Sequence, residues 1–167
     1  MPLINWAKKP KGGSRALPSH TRGVSVDASE FVPVRIPDVD GGLSFEAYAR
    51  RFLLERCDLD LQPRIVEVGG SVPKKFDFVS ADSRVVGDAK WYKNVNLRGT
   101  TFKVPAAKWS TISEYVWLLQ NVDAEQVFLV FGNEIEVPER YLEKYGALVV
   151  PVEFYFLDGT GLQILSR

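Results

Sequence analysis

The chain of 167 residues has a single cysteine, a single histidine and no long apolar run. The one cysteine, Cys57, excludes an intrachain disulfide and leaves a cysteine-based zinc site with one such ligand at most. The longest apolar runs, such as residues 127–131, are too short to cross a bilayer, and the N-terminus lacks the apolar segment of a signal peptide. These absences predict a cytoplasmic protein with no membrane partner.

The sequence also has no net charge, because 21 basic residues balance 21 acidic ones. Charge balance alone therefore does not indicate a nucleic-acid partner. The charges are unevenly placed, however. Residues 1–26 mix proline, glycine and serine with five basic groups and no acid, which predicts a flexible basic N-terminal arm. Residues 89–108 hold five more basic groups and no acid, and this stretch is either a solvated face or a nucleic-acid-binding one.

What is present fits one soluble domain over residues 27–167, since 46% of the chain is hydrophobic and 25% is charged. The apolar spacing after Ser44 predicts a helix with that serine as N-cap and its end near Cys57. A second helix is predicted with Pro105 in its first turn, after a loop over 94–101. A third is predicted over 138–145. Strands are predicted over 64–68, 76–80, 84–92, 126–131, 147–150, 153–157 and 162–165.

The apolar run 126–131 indicates a strand that is buried on both faces. It follows a helix that itself follows a strand, an order that favours a right-handed crossover into parallel pairing. The meander before it is antiparallel. The sequence therefore predicts an α/β fold with a mixed sheet.

Acidic and basic residues are embedded in two of the predicted strands. Asp77 lies within 76–80, while Asp88 and Lys90 lie two apart on the next strand and so project to one face. Phosphodiester hydrolysis needs charge neutralised at the phosphate and a nucleophilic water, and a divalent metal held by carboxylates supplies both. A nearby lysine can orient or deprotonate that water and stabilise the phosphate. This set of residues is therefore a candidate metal-dependent site.

The acid-x-Lys triplet supports a functional site only because of its position in the strands. About one such triplet is expected by chance in a chain of this composition. Asp88-Ala89-Lys90 is the only one, and it ends an apolar strand that follows a strand with its own acid. The alternative interpretation is an ion pair between Asp88 and Lys90 on a solvent-facing sheet.

These residues resemble the PD-(D/E)xK phosphodiesterases, which include restriction enzymes, Holliday-junction resolvases and repair nucleases. Members have an N-terminal helix carrying a glutamate, a β-meander with Asp followed by (Asp/Glu)-x-Lys, and then a helix and a further strand. Here Glu46, Asp77, the triplet 88–90 and the helix of Lys108 follow in that order, over roughly residues 43–132. One departure is that Phe76 stands before Asp77, where the pattern has proline.

The resemblance implies a restriction-endonuclease-like αβα sandwich with a central mixed β-sheet flanked by helices, and a DNA endonuclease that uses Mg²⁺ or Mn²⁺. In it, Asp77, Asp88 and the carbonyl of Ala89 would hold the metal, and Lys90 would position the attacking water. Glu46 would support a second metal or its waters. The expected DNA contacts are Lys93, Arg98, Lys103 and Lys108. Small members often act as homodimers, an arrangement that the sequence leaves open.

Other interpretations stay open at this point. Glu46 near a helix N-terminus is also favourable with the helix dipole, and Lys108 also fits a solvated helix lysine. The domain itself could be a catalytically inactive nucleic-acid-binding or assembly domain of the same fold, or a structural protein whose strand charges pair. The chain has little room for a separate base-reading domain, which favours structure-specific or nonspecific cleavage over restriction of a defined site.

Overall fold

The computed structural model describes residues 39, 41–92, 97–98, 101–102 and 104–166, with only the backbone at 97–98 and 101–102. The predicted arm 1–26, Lys93 and Lys103 lie outside the described residues, and of Arg98 only the backbone is described. The elements in chain order are α1 (Gly42–Cys57), β1 (Gln62–Val68), β2 (Val72–Val79), β3 (Val85–Trp91), β4 (Leu97–Arg98), β5 (Thr101–Phe102), α2 (Ala106–Gln120), β6 (Gln126–Gly132), α3 (Glu136–Tyr145), β7 (Glu153–Leu157) and β8 (Leu162–Leu165).

Six strands form one mixed sheet in the order β1-β2-β3-β6-β7-β8. Strands β1, β2 and β3 are an antiparallel meander, β6 pairs in parallel with both β3 and β7, and β8 returns antiparallel to β7. Every residue of β6 is buried, as expected for a continuous apolar run in the middle of a covered sheet. The predicted parallel pairing after α2 is therefore confirmed.

The helices cover both faces of this sheet. On one face, Phe45, Ala49 and Leu53 of α1 belong to a buried cluster with Phe128 and Tyr155. On the other face, α2 and α3 pack against the remaining buried side chains of the sheet. The predicted αβα sandwich with a central mixed sheet is confirmed. Within the described part of the chain, no helix has the length and apolar character needed to traverse a lipid bilayer.

Helix α1 begins two residues before the predicted N-cap. Its first residue is Gly42, and the Ser44 hydroxyl lies inside the first turn, where it accepts a hydrogen bond from the Gly41 amide at 3.2 Å and donates one to the Gly41 carbonyl at 2.9 Å. The prediction of Ser44 as N-cap is wrong. The apolar stripe did not mark the true start because Leu43, in the first turn, is 82% exposed.

The predicted strand 147–150 is also wrong. A 3-10 turn spans Gly146–Leu148, and Leu148 and Val150 point to solvent. The Gln120 side-chain amide donates hydrogen bonds to the carbonyls of both residues, at 2.7 and 2.9 Å, and so satisfies backbone groups that would otherwise pair in a sheet. The predicted loop 94–101 differs as well, because its backbone contributes to the small antiparallel pair of β4 and β5.

Candidate functional site

Strand β2 has a β-bulge at Asp77 and Phe78. The step from Gln62 to Arg64 on β1 faces the longer step 76–79 on β2, so β2 contains one extra residue there. Phe76 and Phe78 accordingly pack into the cores on opposite faces of the sheet, although residues two apart in a regular strand share a face. Bulges re-aim side chains and are frequent next to active sites. The bulge thus sets the direction of Asp77.

The carboxylates of Asp77 and Asp88 each accept a hydrogen bond from the backbone of the opposite strand. The Asp77 amide donates to Oδ1 of Asp88 at 3.3 Å, and the Ala89 amide donates to Oδ2 of Asp77 at 3.1 Å. The regular pairing of β2 with β3 reaches Phe78 and Gly87 and stops there. The two carboxylates therefore lie side by side at the point where the backbone ladder ends.

Lys90 forms a buried ion pair with Asp88. Its ammonium donates a short hydrogen bond to Oδ2 of Asp88, and the two residues are only 8% and 3% exposed. Burial raises the pKa of Asp88 to about 7; the Lys90 charge acts against this shift, and repulsion from Asp77 adds to it. The pair lies in the interior of the protein, and not on a solvent-facing surface of the sheet.

Glu46 lies in the electrostatic field of these residues. Partial burial raises its pKa and repulsion from Asp77 adds to the rise, while Arg50, Lys90 and Lys75 act to lower the pKa. The first turn of α1 contains no acid, so Glu46 stands beyond the turn in which the helix dipole is felt most. Asp77 and the neighbouring basic groups, and not the dipole alone, define its surroundings.

Helix α2 presents Tyr115 to the site. The Lys90 ammonium lies 3.1 Å from the centroid of the Tyr115 ring. The Lys74 ammonium lies 4.8 Å from the same centroid and 3.6 Å from a carboxylate oxygen of Glu114. Burial raises the pKa of Tyr115 to about 12, with Asp88 and Asp77 as the next largest causes, so the phenol stays protonated at neutral pH.

Lys108 lies about two turns before Tyr115 on the same helix. Its ammonium is 5.0 Å from the centroid of the Tyr92 ring. Tyr92 follows Lys90 by two residues, and its pKa is raised by burial and then by the Asp88 charge. Lys108 is half-buried, so its side chain is only partly solvated. Lys108 therefore lies beside Tyr92, whose ring is close enough to Asp88 to be affected by its charge.

Two residues of the site were not predicted from the sequence. One is Tyr115, although its spacing of seven residues from Lys108 places both side chains on one face of the helix. Arg50 stands four residues after Glu46, the spacing of a helical ion pair, and its Nη1 atom is buried without a hydrogen-bond partner.

The donors at the site suit a hard divalent cation. Across residues 41–92 and 104–166, no three His, Cys, Asp or Glu side chains are grouped so that they could hold a metal ion. Asp77 and Asp88 form a pair of carboxylates, and Mg²⁺ commonly uses one or two carboxylates while it keeps several waters. The raised pKa of Asp88 reflects burial and crowded negative charge, which a cation would relieve. The residues present therefore fit Mg²⁺ or Mn²⁺.

Comparisons with known proteins do not assign a family. No protein-family profile matches the chain, and no curated protein matches its sequence. One solved structure, Pyrococcus furiosus SfsA in complex with Ca²⁺, aligns with 73% of this chain and 60% of the SfsA chain, at 14% identity and a TM-score of 0.35. A similarity this distant indicates no function.

Proposed function

We propose that the protein is a metal-dependent nuclease that hydrolyses phosphodiester bonds in DNA. The observation that carries this proposal is the meeting of Asp77, Asp88 and Lys90 across β2 and β3, where Asp88 and Lys90 are buried and the pKa of Asp88 is raised to about 7. Buried charges on strands are costly, and such groups are typical of functional sites. The order α1, meander, α2 and β6 also matches the order of elements in the PD-(D/E)xK enzymes that the sequence resembles.

Asp77 and Asp88 would hold the Mg²⁺ or Mn²⁺ ion, with the Ala89 carbonyl as a further oxygen donor. When bound, the metal would neutralise phosphate charge and lower the pKa of a coordinated water. Glu46 would hold metal-bound waters by accepting their hydrogen bonds. The amides that hold the two aspartates fix the carboxylate orientations before any ligand arrives.

Lys90 would orient the attacking water and stabilise negative charge on the phosphate. An ammonium is a compact positive charge that can orient a water and stabilise negative charge on a phosphate oxygen. Its burial strengthens both effects, because the surroundings have a low dielectric constant. The hydrogen bond from the Lys90 ammonium to Asp88 places this charge beside the proposed metal ligand.

DNA is the proposed substrate, held at its phosphates by basic side chains. Lys108 is half-buried beside Tyr92 and could reach a phosphate next to the acids. Lys93, Arg98 and Lys103 remain predicted contacts, because their side chains lie outside the described part of the chain. A homodimer and a cytoplasmic location also stay predictions.

A second candidate is a nucleic-acid-binding or assembly domain without catalysis. The observation that favours it is that Lys90 already compensates the Asp88 charge, as in a structural ion pair. Such a domain would bind DNA with a strong salt dependence and leave it intact in any divalent metal.

The test is cleavage of duplex, single-stranded, flapped and four-way DNA in Mg²⁺ or Mn²⁺, with EDTA as the metal-free control. We expect Asp88→Asn to lower kcat at least about 100-fold, because metal-based charge stabilisation supplies several kcal/mol. The exposed Asp123→Asn variant is the matched control and should cleave like wild type. Equal cleavage by Asp88→Asn and wild type would refute the site, and salt-dependent binding without cleavage would favour the second candidate.

A further inference from the structure

The ammonium of Lys90 lies between a carboxylate and an aromatic face. On one side it bonds to Asp88, and on the other its nitrogen is 3.1 Å from the centroid of the Tyr115 ring. A cation over an aromatic face is attracted by the ring quadrupole within about 6 Å, and more strongly where water is excluded. Lys90 is 8% exposed, so this contact is made in a largely dry position.

A lysine depends on such contacts for its position. Its charge sits on a flexible four-carbon stem, so the surrounding groups decide where the ammonium rests. Asp88 alone is a poor anchor, because its carboxylate is also the proposed metal ligand. An aromatic face attracts the ammonium without taking its proton and without offering a carboxylate or imidazole donor to the metal. The ring can therefore hold Lys90 whether or not Asp88 is engaged elsewhere.

We propose that Tyr115 is a positioning residue that holds the Lys90 ammonium next to Asp77 and Asp88 through its ring face. This inference rests on the proposed nuclease function and assigns a role in it to α2. Lys74 reaches the same ring only at 4.8 Å, with Glu114 drawing its ammonium at 3.6 Å, so the closer contact with the ring belongs to Lys90.

The test compares two substitutions of Tyr115 by steady-state cleavage in Mg²⁺. Tyr115→Leu removes the ring, and we expect kcat to fall about 10- to 30-fold with KM little changed, the effect of a desolvated cation–π contact. Tyr115→Phe keeps the ring, and we expect activity within about twofold of wild type. Trp117→Leu is the matched control, because Trp117 is an aromatic on the same helix that is 59% exposed. An equal loss in Tyr115→Phe and Tyr115→Leu would assign the effect to the hydroxyl and overturn the inference.

A second readout does not depend on activity. Protons above an aromatic face are shifted upfield, so the NMR signal of the Lys90 ε-methylene group, assigned by its loss in Lys90→Arg, should lie upfield of the other lysines. We expect Tyr115→Phe to keep this shift and Tyr115→Leu to abolish it. An ordinary shift in the wild-type chain overturns the inference, even if Tyr115→Leu does not fold.

The two proposals fail in different ways. If wild type does not cleave, the nuclease function is wrong, and if Asp88→Asn cleaves as well as wild type, the assignment of the site is wrong. If Asp88→Asn is inactive while Tyr115→Leu keeps full kcat, the nuclease function stands and the role of Tyr115 is wrong.

Discussion

Replacing Gly87 with alanine tests how tightly β3 is packed next to Asp88. An added Cβ would lie 2.5–2.7 Å from three atoms of the Phe128 ring, whereas ordinary contacts begin at 3.4 Å. Something must therefore move. Either the Phe128 ring moves, or the backbone of β3 shifts and moves Asp88 with it.

The ring of Phe128 has little freedom to give way. It is fully buried, stacks on Phe78 at 5.8 Å between ring centroids and meets Tyr155 edge-on at 6.0 Å. We expect Gly87→Ala to lower the free energy of unfolding by about 2–3 kcal/mol, the upper part of the range for overpacked cores. A shifted β3 should also lower kcat through Asp88.

Urea unfolding followed by tryptophan fluorescence measures this loss. Gly161→Ala is the control, because no atom lies within 4 Å of its added Cβ, and we expect a change under about 0.5 kcal/mol. The double variant Gly87→Ala/Phe128→Leu should lose less than the sum of the single losses, because the smaller side chain makes room. Additive losses, or a Gly87→Ala variant as stable as wild type, would refute this account of the packing.

Two further predictions concern charged groups. Lys90→Met should lower the free energy of unfolding by about 3 kcal/mol in the same urea assay, because it leaves Asp88 buried without its partner. The double variant Asp88→Asn/Lys90→Met should recover much of this loss. Additive losses in the double variant would contradict the pairing of Asp88 with Lys90. At Asp158, partial burial acts to raise the pKa, but hydrogen bonds from Thr160 and Gly161 outweigh it and hold the pKa below its ordinary value. The stabilisation is present at neutral pH and is lost as pH falls through that lowered pKa, so Asp158→Ala should cost about 1 kcal/mol at neutral pH. The difference from wild type should shrink as pH falls below about 4, the ordinary pKa of an aspartate, and a difference independent of pH would contradict this assignment.

Features that depend on local periodicity could be predicted from the sequence. The apolar stripe of α1 and the continuous run of β6 specify their burial without knowledge of their partners. The two-residue spacing of Asp88 and Lys90 likewise places both side chains on one face, and their ion pair confirms it.

Features that depend on distant partners could not be predicted. The bulge at Asp77 is a mismatch in register between β1 and β2, and nothing in the local pattern of either strand marks it. The contact of Tyr115 with Lys90 depends on how α2 lies across β3. The sequence thus predicts which acids and which lysine form the candidate site, whereas the packing of the sheet and of α2 determines their arrangement in space.

The role of the two aspartates is tested most directly by a crystal of the chain soaked with Mn²⁺ and measured at the manganese absorption edge. We expect an anomalous peak within about 2.0–2.5 Å of one oxygen each from Asp77 and Asp88, the distance for hard divalent cations, and its loss in Asp88→Asn. Manganese bound only elsewhere, with no peak between these carboxylates, would contradict the proposed metal site.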